Sequence, residues 1–294
     1  DGTADAVTGM FRNLAESATV TATGGEKFTI SYVGGDGNDV VLFGGVADAN
    51  VAIDGSGNLV ISDIGSDSSD DLTISRVTID STEYYEISDS DSSRVFSTTG
   101  IERSDIMRPN ASTVRVATAK VTGGLIVNAA SATPTFAVGS VTIASELTLT
   151  GEAVINAQTI VVNENLTASG VTLNAAAAGG SVSMAASAVI DAGSGDIDID
   201  ADGAVTLAVL TTTGNLAIDT NTGSITDIGA GFISIGGTAD LTTTSGSADI
   251  ILDQLDVTGS IALNASGTAT IVNATGIDLR DSTVGGDLAA TATS

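Results

Sequence analysis

From Gly180 to Ala289 apolar and polar residues alternate in short bursts, and a glycine opens each burst. The phrase reads Gly195-Asp-Ile-Asp-Ile, Gly203-Ala-Val-Thr-Leu, Gly214-Asn-Leu-Ala-Ile, Gly259-Ser-Ile-Ala-Leu and Gly286-Asp-Leu-Ala-Ala. Period two puts one set of side chains inward and the other to solvent, the signature of half-buried strands. Every second glycine falls at 180, 203, 223, 246, 267 and 286, so the steps are 23, 20, 23, 21 and 19 residues. A repeat near twenty-one residues with two turn-and-strand units inside it predicts a parallel β-solenoid of about 20–22 residues per coil. The glycines suit corners that need positive φ. A helical reading of this stretch fails, because no apolar set recurs at spacings of three and four.

Toward the start the pattern is less regular. Val7, Met10, Phe11 and Leu14 share one face at helical spacing, which predicts a short helix over 4–16. Strands follow at 19–21, 28–33 and 40–43. Between 51 and 119 more short strands alternate with acidic, serine-rich linkers at 66–71 and 88–93, and Asp80-Ser-Thr-Glu83 predicts a hairpin turn. This part fits either an antiparallel β-domain or wider coils of the solenoid. Three segments result: 1–45, a helix plus strands; 46–120, a β-rich module with acidic loops; and 121–294, the solenoid.

Composition sharpens this division. Eight of nine basic residues precede residue 121, and seven of nine aromatics precede residue 100. Aromatics make up 3% of the chain, so the core is built from Ala, Val, Ile and Leu, which suits a narrow solenoid interior. The net charge of −27 repels nucleic acid and anionic membrane surfaces and favours cations. No apolar run is long enough to cross a membrane, and Asp1 does not begin a signal peptide. Cysteine is absent, which excludes disulfides. Histidine is absent too, which excludes Ser-His-Asp and Cys-His catalysis. Tryptophan, the usual sugar platform, is missing, and the solenoid is almost without lysine and arginine. A non-enzymatic role is the expectation, although paired carboxylates are plentiful.

Gly34-Gly-Asp-Gly-Asn-Asp-Val-Val-Leu42 matches the nonapeptide calcium repeat at every fixed position. Asp36 and Asp39 are therefore candidate calcium ligands, although a glycine turn between two strands explains the same residues. Asp196, Asp198, Asp200 and Asp202 alternate with Ile197 and Ile199, placing four carboxylates about 7 Å apart on one strand face. They suit either a solvated outer face or a second calcium site. Asn and Asp recur after apolar residues at 128, 156, 174, 191, 200, 264 and 273, as corner residues that can pair along the solenoid axis.

Several stretches bear a resemblance to known exported proteins. Leu14-Ala-Glu-Ser-Ala-Thr-Val20 with Phe28-Thr-Ile-Ser-Tyr-Val-Gly-Gly-Asp-Gly-Asn-Asp-Val-Val-Leu42 resembles a segment of autotransporter-type passengers and giant bacterial surface proteins. Gly55-Ser-Gly-Asn-Leu-Val-Ile-Ser-Asp63 and Val121-Thr-Gly-Gly-Leu-Ile-Val-Asn128 resemble another module of such exoproteins, and the later repeats are similar to those of filamentous-haemagglutinin-like adhesins. The resemblance implies a right-handed parallel β-helix in an extracellular, surface-attached protein. The expected function is a structural segment of a bacterial fibre or layer, stacked end to end on copies of itself or on flanking repeats, with no cofactor required. The chain stops at Ala292-Thr-Ser294 in mid-repeat, which reads as part of a longer polypeptide or one processed unit. The alternative is an adhesin that binds a cell-surface glycan or receptor near Tyr84 and Tyr85.

Overall fold

The alternating bursts form strands, and the strands stack coil upon coil. The computed structural model describes residues 7–64, 70–128, 138–229 and 231–293. It is all-β apart from two single-turn 3-10 segments, Arg103–Asp105 and Thr118–Lys120. Each coil carries three short strands where the sequence suggests two, so the solenoid has three faces. One coil runs through Val171–Ala175, Ser181–Met184 and Val189–Asp191, and the next through Ile197–Ala201, Val205–Leu207 and Val209–Thr212. Equivalent strands pair in parallel across every coil boundary from Ala153 onward.

The register fixes the coil length. On the first face Ala153, Val171, Ile197, Leu216, Ala239, Ile261 and Leu279 stand one above another. Six steps cover the 126 residues from Ala153 to Leu279, a mean of 21. On the second face the inward column is Leu72, Val141, Ile160, Val182, Val205, Ile225, Ile250, Ala269 and Leu288. On the third it is Leu147, Leu166, Ile190, Leu210, Ile233, Leu255 and finally Asn273. These columns make one continuous aliphatic core.

Asn273 breaks the apolar rule, since it is fully buried. Its side-chain oxygen accepts from the Val257 N–H at 2.8 Å, and its amide donates to the carbonyls of Val257 at 3.1 Å and Gly276 at 2.9 Å. A satisfied amide therefore takes the place of an apolar side chain in the third column, where an unpaired one would be costly.

The glycines hold the corners by smallness rather than by conformation. Among the described repeat glycines only Gly179, Gly193, Gly229 and Gly246 have positive φ. The phrase-opening glycines instead stack backbone on backbone: Gly237 N–H donates to the Gly214 carbonyl at 2.9 Å, and Gly259 N–H to the Gly237 carbonyl at 3.0 Å. A Cβ on Gly214 would lie 2.5 Å from the Gly195 carbonyl oxygen, and one on Gly203 would lie 2.9 Å from that of Gly180. Gly246, expected in this ladder, stands outside it. The Gly267 N–H donates instead to the Ala248 carbonyl at 2.8 Å.

The sheets cross residue 120 without a break, and residues 46–120 combine both readings of that segment. Two antiparallel hairpins each lend one strand to the parallel stack. Leu59–Asp63 pairs in parallel with Leu125–Val127 and antiparallel with Ala49–Ile53. Asp70–Ile79 pairs in parallel with Val138–Ile143 and antiparallel with Thr82–Asp89. Asp80 and Ser81 make the predicted hairpin turn with φ of 48° and 67°, the left-handed pair of a two-residue type I′ connection. Ile106–Asn110 and Thr113–Ala117 extend this cover, so antiparallel strands close the first coil.

The helix expected over 4–16 does not form over its described residues, 7–16; residues 4–6 lie outside the described residues, as do 66–69 of the acidic linker. Gly9, Asn13 and Ser17 have φ of 88°, 64° and 63°, which breaks the segment into isolated turns. It lies as a strap along strand Lys27–Gly34. Tyr32 donates its hydroxyl to the Leu14 carbonyl at 2.9 Å and receives the Phe11 N–H at 2.9 Å, while Glu16 accepts the Tyr32 N–H at 2.7 Å. Beneath it Arg108 is completely buried, stacked on the Phe43 ring at 4.5 Å and ion-paired to Glu16 at 3.7 Å.

Candidate functional site

The aspartate row of strand Ile197–Ala201 divides into two kinds of group. Asp198 and Asp200 project outward on the first face. Coil stacking sets Asp219 directly against Asp200, in a column that runs Asn156, Asn174, Asp200, Asp219, Thr242, Asn264 and Thr283. Partial burial pushes the Asp198 carboxyl above the ordinary carboxylate range, and the charges of Asp219 and Asp196 add to the effect. Asp200 is raised in the same way by burial and then by Asp198 and Asp219.

Asp196 and Asp202 sit at corners and serve the backbone. Asp196 accepts the Asn215 N–H at 2.7 Å from the next coil. Asp202 accepts the Gly179 N–H at 2.7 Å from the coil before and the Asn221 side-chain amide at 2.8 Å from the coil after. Those bonds hold its carboxyl below the ordinary value. The four carboxylates therefore do not share one face. Among the described residues no three acidic, histidine or cysteine side chains converge closely enough to hold a metal ion.

Asp36 and Asp39 lie in the hairpin turn between Lys27–Gly34 and Asp39–Gly44, with left-handed backbone at Gly35 and Gly37. The Gly37 N–H closes the turn onto the Gly34 carbonyl at 2.9 Å. A Cβ on Gly37 would lie 3.2 Å from the Met107 side chain, so this turn packs against the cover of the first coil. Here the glycines serve a tight hairpin.

Tyr84 and Tyr85, proposed from sequence as a ligand platform, are 6% and 5% exposed. The Tyr85 hydroxyl donates to the Thr148 carbonyl at 3.0 Å, tying the hairpin to the first full coil. Burial pushes its phenol above the ordinary value. Neither ring offers a free face for stacking. The strand alternation that placed them in a hairpin could not show which neighbours cover them.

The sequence reading missed two features. One is a shallow depression of about 220 Å³ lined by Ile53, Gly100, Ile101, Glu102, Asp105 and Lys120, where Lys120 and Asp105 pair at 3.0 Å. The other is an apolar patch on the outer side of the N-terminal sheet. There Phe11, Val40 and Leu42 are 60%, 43% and 51% exposed, and Leu42 stands opposite Ile30 on the face that the strap crosses. The alternation of Val40 and Leu42 was legible, but only the tertiary pairing shows that nothing among the described residues covers them.

Fold and surface define a β-solenoid repeat protein. A family model described as repeats of unknown function (DUF5649) matches residues 194–264, the coils that carry the aspartate row and the glycine ladder. No curated protein and no solved structure matches the chain. Among the described residues no helix is long and apolar enough to cross a membrane.

Proposed function

We propose that this chain is a structural, length-giving segment of an extracellular bacterial fibre or surface layer, and that it acts by shape rather than by catalysis. One observation carries the reading: each face adds the same strand at each coil, over a continuous aliphatic core. The outward columns are rich in Thr, Ser, Asn and Asp, for example Thr206 on Thr226 and Asn156 on Asn174, with scattered aliphatics such as Val154, Val161 and Ile251. Such columns keep a long β surface soluble while the backbone ladders bear load along the axis. The acidic surface and the absence of cysteine and histidine accord with this role. Electron microscopy of the native material tests it. Rods or a layer of regular thickness are expected, and dispersed particles would overturn the reading.

A second reading, an adhesin, rests on the apolar patch of Phe11, Val40 and Leu42 at the closed end of the solenoid. Its contact would lie there rather than at Tyr84 and Tyr85. Cell-surface binding that Leu42→Asp abolishes would favour it over the purely structural role.

A further inference from the structure

We propose that Asp36–Gly37 is a site of spontaneous backbone isomerisation, in which the aspartyl linkage rearranges through a cyclic imide to an isoaspartyl one. The fold leaves this pair open to the reaction and silences the same pair at Asp54–Gly55 and Asp202–Gly203; Asp1–Gly2 lies outside the described residues.

The chemistry needs a free side-chain carboxyl and a following residue with no Cβ to shield its nitrogen. The Gly37 nitrogen bonds to Cγ of Asp36 and gives up its proton, and the carboxyl hydroxyl leaves with that proton as water. Water then adds back at either carbonyl of the imide. Opening the bond from nitrogen to Cγ restores the aspartyl chain, whereas opening the bond from nitrogen to the main-chain carbonyl carbon leaves the backbone running through the side chain. The atoms balance without an oxidant or a cofactor.

Asp36 is exposed in the hairpin turn between Lys27–Gly34 and Asp39–Gly44, and its carboxyl accepts no hydrogen bond among the described residues. Glycine flanks it on both sides, with left-handed backbone at Gly35 and Gly37, so neither neighbour screens the attack. The bond in the way is Gly37 N–H to the Gly34 carbonyl at 2.9 Å, inside the same turn, and local opening of an exposed turn releases it.

Asp54 is also exposed but committed. It accepts the Ser56 N–H at 2.8 Å, the Asn58 N–H at 2.9 Å and the Asn58 side-chain amide at 2.9 Å. These bonds, the Asn58 N–H foremost, hold its carboxyl below the ordinary value, so the leaving hydroxyl seldom forms. Asp202 is tied on both sides by Gly179 and Asn221. Its following Gly203 N–H donates to the Gly180 carbonyl at 2.6 Å in the coil before, where an imide has no room. Isomerisation at Asp36 lengthens the turn that sets Gly34 opposite Asp39 and packs against Met107, so aged chains lose that register and loosen the cover of the first coil.

Prolonged incubation in neutral buffer, followed by isoaspartyl methyltransferase labelling and peptide mapping, tests this. In the folded protein label is expected at Asp36 at least about tenfold faster than at Asp54 or Asp202, whose hydrogen bonds must break first. The rates should converge once urea unfolds the chain. Asp36→Glu, whose longer side chain closes a ring far more slowly, should lose the label with circular dichroism unchanged. No label at Asp36 in the folded protein over the time in which the unfolded chain labels there, equal rates at the three sites in the folded protein, rates that stay as far apart in urea, or label that survives Asp36→Glu would overturn the proposal.

Discussion

Glu16 is the residue whose loss should cost this fold most for the smallest chemical change. Its carboxylate faces Arg108, which is completely buried, donates from Nη2 to the Phe96 carbonyl, and has no hydrogen-bond partner at Nε or Nη1 among the described residues. Even with Glu16 at 3.7 Å, burial pushes the guanidinium down to about 10 from 12.5. That shift corresponds to about 3 kcal/mol of net penalty on the charged form. Glu16→Gln keeps an oxygen for the Tyr32 N–H but removes the compensating charge, and a buried charge stripped of its partner costs about 3–5 kcal/mol. Urea unfolding followed by tyrosine fluorescence suits the measurement, since the chain has no tryptophan and all three tyrosines lie before residue 86. We expect a loss of about 3 kcal/mol at unchanged slope. Adding Arg108→Met should restore most of it, because neither charge is then stranded. A single-variant loss below about 0.5 kcal/mol, or a double variant as unstable as the sum of the two, would refute the reasoning.

Three further outcomes follow from the coil geometry. Gly214→Ala should lower stability by about 2–3 kcal/mol through its clash with the Gly195 backbone, whereas Gly246→Ala, in open space, should cost about 1 kcal/mol from its φ of +76° alone; a larger loss at Gly246 in thermal melts would show that conformation, not contact, selects the ladder glycines. Asp200→Asn should stabilise the protein at pH 7 by about 0.5 kcal/mol, because it removes the like charge directly opposite Asp219. The sign follows from the raised carboxyl: the penalty exists above its folded value and fades as pH falls toward 3.8, so the variant's advantage should vanish in acid melts; an advantage that persists there would contradict the cause. Chelation tests the calcium reading of Asp36, Asp39, Asp196, Asp198, Asp200 and Asp202: a bound ion predicts a lower melting temperature once it is removed, and an unchanged one would set that reading aside.

The solenoid was legible because its cause is local. Period-two alternation survives in every coil, a glycine precedes every first-face strand from Ala153 onward, and the Asp80–Ser81 turn announces itself by residue type. The third face was not, because its strands are as short as Leu147–Thr148 and Leu166–Thr167 and, Ile233–Ile235 after Gly231 apart, no glycine opens them. The strap misled for a related reason: Val7, Met10, Phe11 and Leu14 keep helical spacing, but the left-handed residues between them stop the turns from joining. Closure at the first coil depends on Leu59 finding Leu125, sixty-six residues away, and no pattern within either strand specifies that. The aspartate row was half legible. Alternation found Asp198 and Asp200, whereas the corner roles of Asp196 and Asp202 depend on neighbouring coils.

Closure of the first coil by antiparallel strands is the central claim, and native-state hydrogen exchange tests it most directly. Amides of Leu59–Asp63 and 70–74 should be as protected as those of middle-coil strands such as Ile197–Ala201 and Leu216–Thr220. Early exchange at 59–74 against slow exchange in the middle coils would contradict the account.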